Sequence, residues 1–247
     1  MKTHRMYLKN LADTASVYEL DAMQSSHITK VLRMKEGQEI ELFNGSGLSY
    51  KARILSSTNK YTRVETLSDS MLVETSSERI IAVVPFIKKE NLFFMTQKLT
   101  EMGVTDLMYY RPDKLDQSLL KKDLFKLNKK LEDIIIGGCK QSGINFLPSI
   151  KCFKDLETCL NDIPIQTSNN FVCFFDLDAS KRLAEADFSD ANEYIFITGA
   201  ESGFSDRERF NMEEKNIAVR SLGKNILRAE TAPIAGITLF QSHIGNI

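Results

Sequence analysis

Hydrophobic and polar positions follow two different rhythms along the 247-residue chain. Up to residue 70 the period is mostly two: Glu39-Ile-Glu-Leu-Phe43 alternates, Asn44-Gly-Ser-Gly47 supplies a turn, and residues 48–55 and 61–67 continue as strands. Ahead of them, His27-Ile-Thr-Lys-Val-Leu-Arg33 spaces Ile28, Val31 and Leu32 as one helical face, which Gly37 stops. Residues 1–70 therefore predict a compact β-domain, barrel-like or sandwich-like, with one helical insert. A polar stretch rich in Ser and Thr, residues 67–77, reads as a linker.

Over residues 75–247 strands and helices alternate. Arg79–Pro85 is a continuous apolar strand; Leu92, Met95, Leu99 and Met102 then mark one face of a helix that Gly103 ends. A strand at 105–110 leads to a long helix with Leu120, Leu124, Leu127, Leu131 and Ile134 inward, and short strands follow at 149–153, 171–175, 194–198 and 217–222. Apolar strands alternating with helices predict an α/β domain with a mainly parallel sheet covered on both faces. On periodicity alone that sheet is open and doubly wound.

Composition narrows the picture modestly. With 43% hydrophobic and 26% charged residues the chain is of ordinary soluble globular type. Its longest apolar runs are far short of a membrane span, and Met1-Lys-Thr-His-Arg5 has no apolar stretch behind it, so a cytoplasmic protein is expected. Cys139, Cys152, Cys159 and Cys173 have no metal-ligand spacing and form no cluster with His4, His27 and His243, so neither a metal nor a disulfide framework is expected. A net charge of −1 argues against a uniformly basic nucleic-acid binder. Residues 1–70 hold ten Lys/Arg against eight Asp/Glu, a small surplus that permits an anionic partner.

In sheets of this kind ligands bind outside the carboxyl ends of the strands, which directs attention to three loops. Gly137-Gly-Cys-Lys-Gln-Ser-Gly143, read as a loop after the long helix, has the glycine separation of a P-loop, but Ile144-Asn145 stands where that motif needs Lys and Ser/Thr. In Gly199-Ala-Glu-Ser-Gly203 a buried strand runs into two glycines that allow close backbone approach to a ligand, and Ser205 with Glu208 forms a capping box. Glu201 is the unusual member, because a turn needs no carboxylate there. The third loop, Ser221-Leu-Gly-Lys-Asn-Ile-Leu-Arg-Ala-Glu-Thr-Ala232, precedes a helix over 233–244, with Thr231 as N-cap and Pro233 in the first turn. Capping accounts for Glu230 near the positive end of the helix dipole but leaves Arg228 unexplained, since the dipole disfavours a cation there.

Taken together, the last two loops resemble motifs of the bacterial small-subunit ribosomal RNA uridine N3-methyltransferases, the RsmE family of the SPOUT superfamily. Residues 27–33, Phe43-Asn-Gly-Ser-Gly47, Lys98-Leu-Thr-Glu-Met-Gly-Val-Thr105 and Lys140-Gln-Ser-Gly143 support the resemblance, which covers nearly the whole chain in order. It implies a PUA-like β-barrel that helps bind RNA, a SPOUT domain whose C-terminal part is tied in a trefoil knot, S-adenosylmethionine as cofactor, and a homodimer acting on 16S ribosomal RNA of the small subunit. Three departures stand out: Gly199-Ala-Glu-Ser-Gly203 replaces Gly-Pro-Glu-Gly-Gly, Ile144 replaces a common arginine, and Pro233 replaces a helix former.

Carried over by motif position, the resemblance assigns cofactor binding to Thr198, Gly199, Glu201, Gly203, Ser221, Leu222, Gly223, Asn225, Ile226 and Leu227. It makes Arg228 the cation that stabilises negative charge on the uracil, with Glu201 or Glu230 accepting the N3 proton or orienting Arg228. Because N3 lies on the pairing edge, the target must be unpaired or flipped out. Arg5, Lys30, Arg33, Arg53, Lys140 and Gln141 are the candidate RNA contacts. Two rivals share the fold: a non-catalytic RNA-binding assembly factor, and a methyltransferase for another RNA position.

Overall fold

The computed structural model describes residues 3–73, 78–119, 123–163, 165, 169–188 and 191–247. It divides into two units, the first comprising residues up to 76 together with Cys139–Leu147, the second the remainder. Segment 139–147 thus joins the first unit, where the sequence reading kept it inside the 75–247 domain.

The first unit is a curled sheet of β1 (Arg5–Tyr7), β2 (Val17–Leu20), β3 (Glu39–Phe43), β4 (Leu48–Ser57) and β5 (Thr62–Thr66) in the order β1-β3-β4-β5-β2, with β6 (Leu72–Val73) on β4. Alternate residues Ile40 and Leu42, Tyr50, Ala52 and Ile54, and Val64 form its core, as the period of two requires. Strands β1 and β2 are additions to the sequence reading. So is α1 (Ala22–Ser26), capped by the Asp21 carboxylate, which accepts the Gln24 amide. Residues 27–31, read as an ordinary helix, form a π-turn instead. A π-turn takes an extra residue per turn, which rotates the face. Ile28 is buried, Leu32 packs at the margin of the core, and Val31 is 66% exposed.

In the second unit β7 (Arg79–Pro85), β8 (Asp106–Tyr110), β9 (Ser149–Phe153), β10 (Asn170–Phe175), β11 (Glu193–Ile197) and β12 (Ala218–Arg220) are all parallel, in the order β12-β10-β11-β7-β8-β9. Both faces are buried. Ile81 and Val83 of β7 meet residues of α4 (Leu156–Asn161) and α5 (Asp206–Glu214) on one side, while Ile80 and Ala82 point to the other, where α2 (Lys89–Glu101) and α6 (Thr231–Ile244) pack against each other. This is why the strands read as unbroken apolar runs.

The expected long helix is shorter. Leu120 lies outside the described residues, Leu124–Leu127 is a 3₁₀ turn, and α3 (Asn128–Ser142) begins only then. Leu124 and Leu131 are buried, and Ile134 is half-buried beside a buried Ile135. Gly137 through Ser142, read as a loop, form the end of α3, and Gly138 serves packing: a Cβ there would lie 2.8 Å from the Thr100 methyl. Gly143, at φ +91°, ends the helix.

Candidate active site

Beyond the carboxyl ends of β10, β11 and β12 three loops enclose a cleft of about 640 Å³, completed by Lys88 and Asn91 at the start of α2. That size lies in the range of small-molecule and cofactor sites. The loop after β11 leaves the sheet at Thr198, whose amide donates to the Val83 carbonyl at 3.0 Å and whose carbonyl accepts the Tyr110 hydroxyl at 2.9 Å. At Gly199 a Cβ would come within 3.3 Å of the Gly203–Phe204 backbone, a tight fit that favours glycine in the turn. Ser205 and Glu208 then make the expected reciprocal capping box of α5.

The loop after β12 begins with Gly223 at φ +139° and closes where the Arg228 carbonyl accepts the amides of Thr231 and Ala232 at 2.9 and 3.0 Å. The helix start differs by one step from the sequence reading. Glu230 is the N-cap and Thr231 the first helical residue, because that carbonyl already gathers the first orphan amides; Pro233 stays in the first turn. Glu230 therefore sits at the positive end of α6 with its side chain only 10% exposed, and the 83% exposed guanidinium of Arg228 is 4.0 Å from its Oε1.

Arg228, Glu201 and Glu230 thus line one cleft together with Gly199, Gly203 and the stretch Leu222, Gly223, Asn225, Ile226 and Leu227, with Ile226 85% exposed. Thr198 and Ser221 do not line it. Both are buried, and the Ser221 backbone is tied to the segment after β10, its amide donating to the Lys181 carbonyl and its carbonyl accepting the Leu183 amide at 2.9 Å each. The Thr198 hydroxyl is buried with no hydrogen-bond partner.

Sequence reasoning missed a further wall, the loop after β10. Phe175 stacks on Phe196 with ring centroids 5.6 Å apart. Asp176, only 7% exposed at its side chain, pairs with Arg209 and accepts the Asp178 amide at 3.1 Å. The rule that ligands sit at strand carboxyl ends, applied to the strand read at 171–175, points to this loop as well.

Among the candidate RNA contacts Arg5 requires correction. Its side chain is 5% exposed, and the guanidinium donates to Glu41 Oε1 at 2.9 Å, to the carbonyls of Cys139 and Ile144 at 2.7 and 3.2 Å, and to Asn145 Oδ1. Its plane also lies 4.4 Å from the centre of the Phe43 ring. A guanidinium spent in this way builds the first unit and has no face left for a phosphate. Lys30, Arg33 and Arg53 are exposed, Arg53 within 3.5 Å of Glu39, and Arg33 has the left-handed backbone φ of 53°. Lys140 and Gln141 lie in the last turn of α3, Gln141 exposed and Lys140 donating to Gln24 Oε1 at 3.4 Å, with burial pulling the ammonium below its ordinary pKa. The His27 imidazole is likewise lowered, first by burial and then by the charges of Lys140 and His4.

The chain matches the family described as RNA methyltransferase domain over residues 74–241 and the RNA methyltransferase PUA domain over residues 20–66. It is 26% identical to "Ribosomal RNA small subunit methyltransferase E" of Buchnera aphidicola, over 99% of this chain and 95% of that one. A Bacillus subtilis protein of the same name is 24% identical over 93% and 91%. Among solved structures, a methyltransferase from Legionella pneumophila in complex with the bound cofactor SAM superposes with TM-score 0.87 at 26% identity, covering 98% of both chains. A Neisseria gonorrhoeae ribosomal RNA small subunit methyltransferase E bound to S-adenosyl methionine gives 0.86 at 24%, with the same coverage.

Proposed function

The chain belongs to the RNA methyltransferase family, with a PUA-like barrel and a parallel SPOUT sheet, and on that footing we propose that its C-terminal part carries the trefoil knot and that it transfers the methyl group of S-adenosylmethionine to N3 of one uridine in 16S ribosomal RNA. The observation that carries this reading is that the two loops holding Glu201 and Arg228, separated by α5 and β12, line one cleft at the carboxyl ends of parallel strands.

The residues present fit the cofactor. Gly203 and Gly223 offer backbone with open space where a Cβ would stand, and Leu222, Ile226 and Leu227 supply apolar surface for an adenine face. When bound, S-adenosylmethionine supplies an electrophilic methyl group.

The chain itself has two tasks, to align the uracil and to manage the charge left by its N3 proton. Glu230, near-buried at the positive end of α6, orients Arg228. The guanidinium, exposed into the cleft, stabilises the negative charge that spreads to the uracil oxygens. Glu201, on the exposed tip of its loop, accepts the proton. The exposed cations Lys30, Arg33 and Arg53, with Lys140 and Gln141, hold phosphates of the RNA. The reading includes a cytoplasmic homodimer and uses neither metal nor membrane; among the described residues no helix is long and apolar enough to cross a membrane.

Mass spectrometry of ribosomal RNA from cells lacking the protein tests the reaction. The expected result is loss of a single N3-methyluridine, restored by the intact chain. An unchanged modification pattern would identify an assembly factor instead, and loss of a different mark would move the target.

A further inference from the structure

Building on the reading of the cleft as a cofactor site, we propose that Asp113 is a positioning residue that clamps the loop 199–204 into its binding shape before ligand arrives. Asp113 is not part of the cleft wall, and no sequence motif singles it out.

The loop has little to hold itself. Its backbone pairing, among the described residues, is one hydrogen bond from the Gly203 amide to the Ala200 carbonyl at 2.9 Å, and Gly203 is at φ +70°. Glycine at two of its positions leaves the free chain many alternative conformations. The restraint comes from residues 110–114, where β8 ends. Tyr110 donates to the Thr198 carbonyl at 2.9 Å, Ser202 Oγ donates to the Lys114 carbonyl at 3.3 Å, and Lys114 Nζ donates to the Phe204 carbonyl at 3.1 Å. Ser202 stands where the resembled family carries glycine, so this departure adds a tether.

Asp113 makes none of these tethers itself; it lies between Tyr110 and Lys114 in sequence and ties the segment that carries them to the start of α5, where the loop ends. Its Oδ2 accepts Ser205 Oγ at 2.6 Å and Arg207 Nε at 3.0 Å, its Oδ1 accepts Arg207 Nη2, and its amide donates to Glu208 Oε1 at 3.1 Å. Glu208, 2% exposed, uses its other oxygen to accept the Ser205 amide at 2.8 Å. The hydrogen bonds from Arg207 hold the Asp113 carboxyl below its ordinary pKa, so both oxygens accept at neutral pH. An amide in its place has only one acceptor oxygen and turns N–H groups toward a donor. A loop already fixed in its bound form saves the ordering cost on binding, and Glu201 rides on this loop.

Hydrogen exchange of the loop amides in the ligand-free full chain, paired with calorimetry using S-adenosylmethionine, tests the clamp. Asp113→Ala should speed exchange at 201–204 and weaken cofactor binding by about tenfold, with Asp113→Asn in between. KM for the cofactor should rise while kcat at saturation stays within about twofold. Asp106→Asn, which breaks an ion pair at the opposite end of the same strand, should lower stability yet leave loop exchange and affinity unchanged. Wild-type exchange and affinity in Asp113→Ala, or equal shifts in Asp106→Asn, would overturn the clamp. Should Asp113→Ala fail to fold, Arg207→Ala removes the ion pair from its half-exposed side and is judged by the same criteria. A wild-type chain that gave no heat with the cofactor would sink the proposed function, and the exchange arm would still decide the clamp.

Discussion

The two ends of the parallel sheet use charge in opposite ways. At the amino end, the first residues of four strands face one another: Arg79 of β7, Asp106 of β8, Ser149 of β9 and Glu193 of β11. Arg79 donates to Asp106 at 2.8 and 3.1 Å and to Glu193 at 2.7 Å, while Ser149 and Thr105 hydroxyls donate to Asp106 at 2.5 and 2.8 Å. A space of about 30 Å³ is left beside Arg79, Asp106 and Ser149. At the carboxyl end the same sheet opens into about 640 Å³, and there Arg228 reaches Glu230 only at 4.0 Å with most of its surface exposed. Charges matched in neighbouring strands close an end. A guanidinium carried on a loop with most of its surface exposed leaves one open to a ligand.

The contrast can be broken from either end. The largest effect is expected at the open one. Arg228→Ala should lower kcat by roughly 100-fold or more, the scale of losing one charge-stabilising donor, and leave cofactor affinity within about twofold; single-turnover methylation against calorimetry checks both, and unchanged turnover would remove Arg228 from the mechanism. Next comes Gly236→Ala on α6, whose new Cβ would lie 2.4 Å from the Phe175 ring. Overpacking of this kind costs about 1–3 kcal/mol, read as a fall in Tm, and because Phe175 lines the cleft cofactor affinity should fall with it.

At the closed end, Asp106→Asn should cost about 1 kcal/mol, since Arg79 is half exposed and the pair is partly screened, with no change in catalysis. Burial pushes the Asp106 carboxyl up, but hydrogen bonds from Arg79, Ser149 and Thr105 outweigh it and leave the pKa below 3.8. Its stabilisation is therefore complete above that value and lost as pH falls through the folded pKa, so urea melts of wild type and variant should converge in acid. The smallest effect is expected away from the sheet. Arg53→Ala should weaken RNA binding a few-fold and lower the salt slope by about one, equally for any RNA sequence.

Much of this architecture was legible because it is repetitive. Buried parallel strands read as apolar runs from 79 to 197, and α2 follows its 3.6-residue face. Legibility ended where geometry departs from the two simple periods. The π-turn at His27–Val31 sends Val31 outward although its spacing says inward. Strand β1, three residues long, offers no periodicity, which left Arg5 looking like a free surface cation when three of its four hydrogen-bonding partners lie more than a hundred residues away. The two motif loops of the cleft were visible from glycines and unexplained charges. Asp176 with Arg209, and Asp113 with Arg207, were not, because neither acid carries a local signal and its partner is fixed only by the fold.

The all-parallel order also governs the time at which this protein can take shape. No two neighbouring parallel strands can be joined by a hairpin, and β7 has on one side β11, with Arg79 and Glu193 meeting across 114 residues of chain. During synthesis β7 must wait, its apolar edge unpaired, until almost four-fifths of the polypeptide has been made. Contacts so distant in sequence make for slow folding, and the nascent second unit is the stage at which a chaperone or a rise in temperature should matter most.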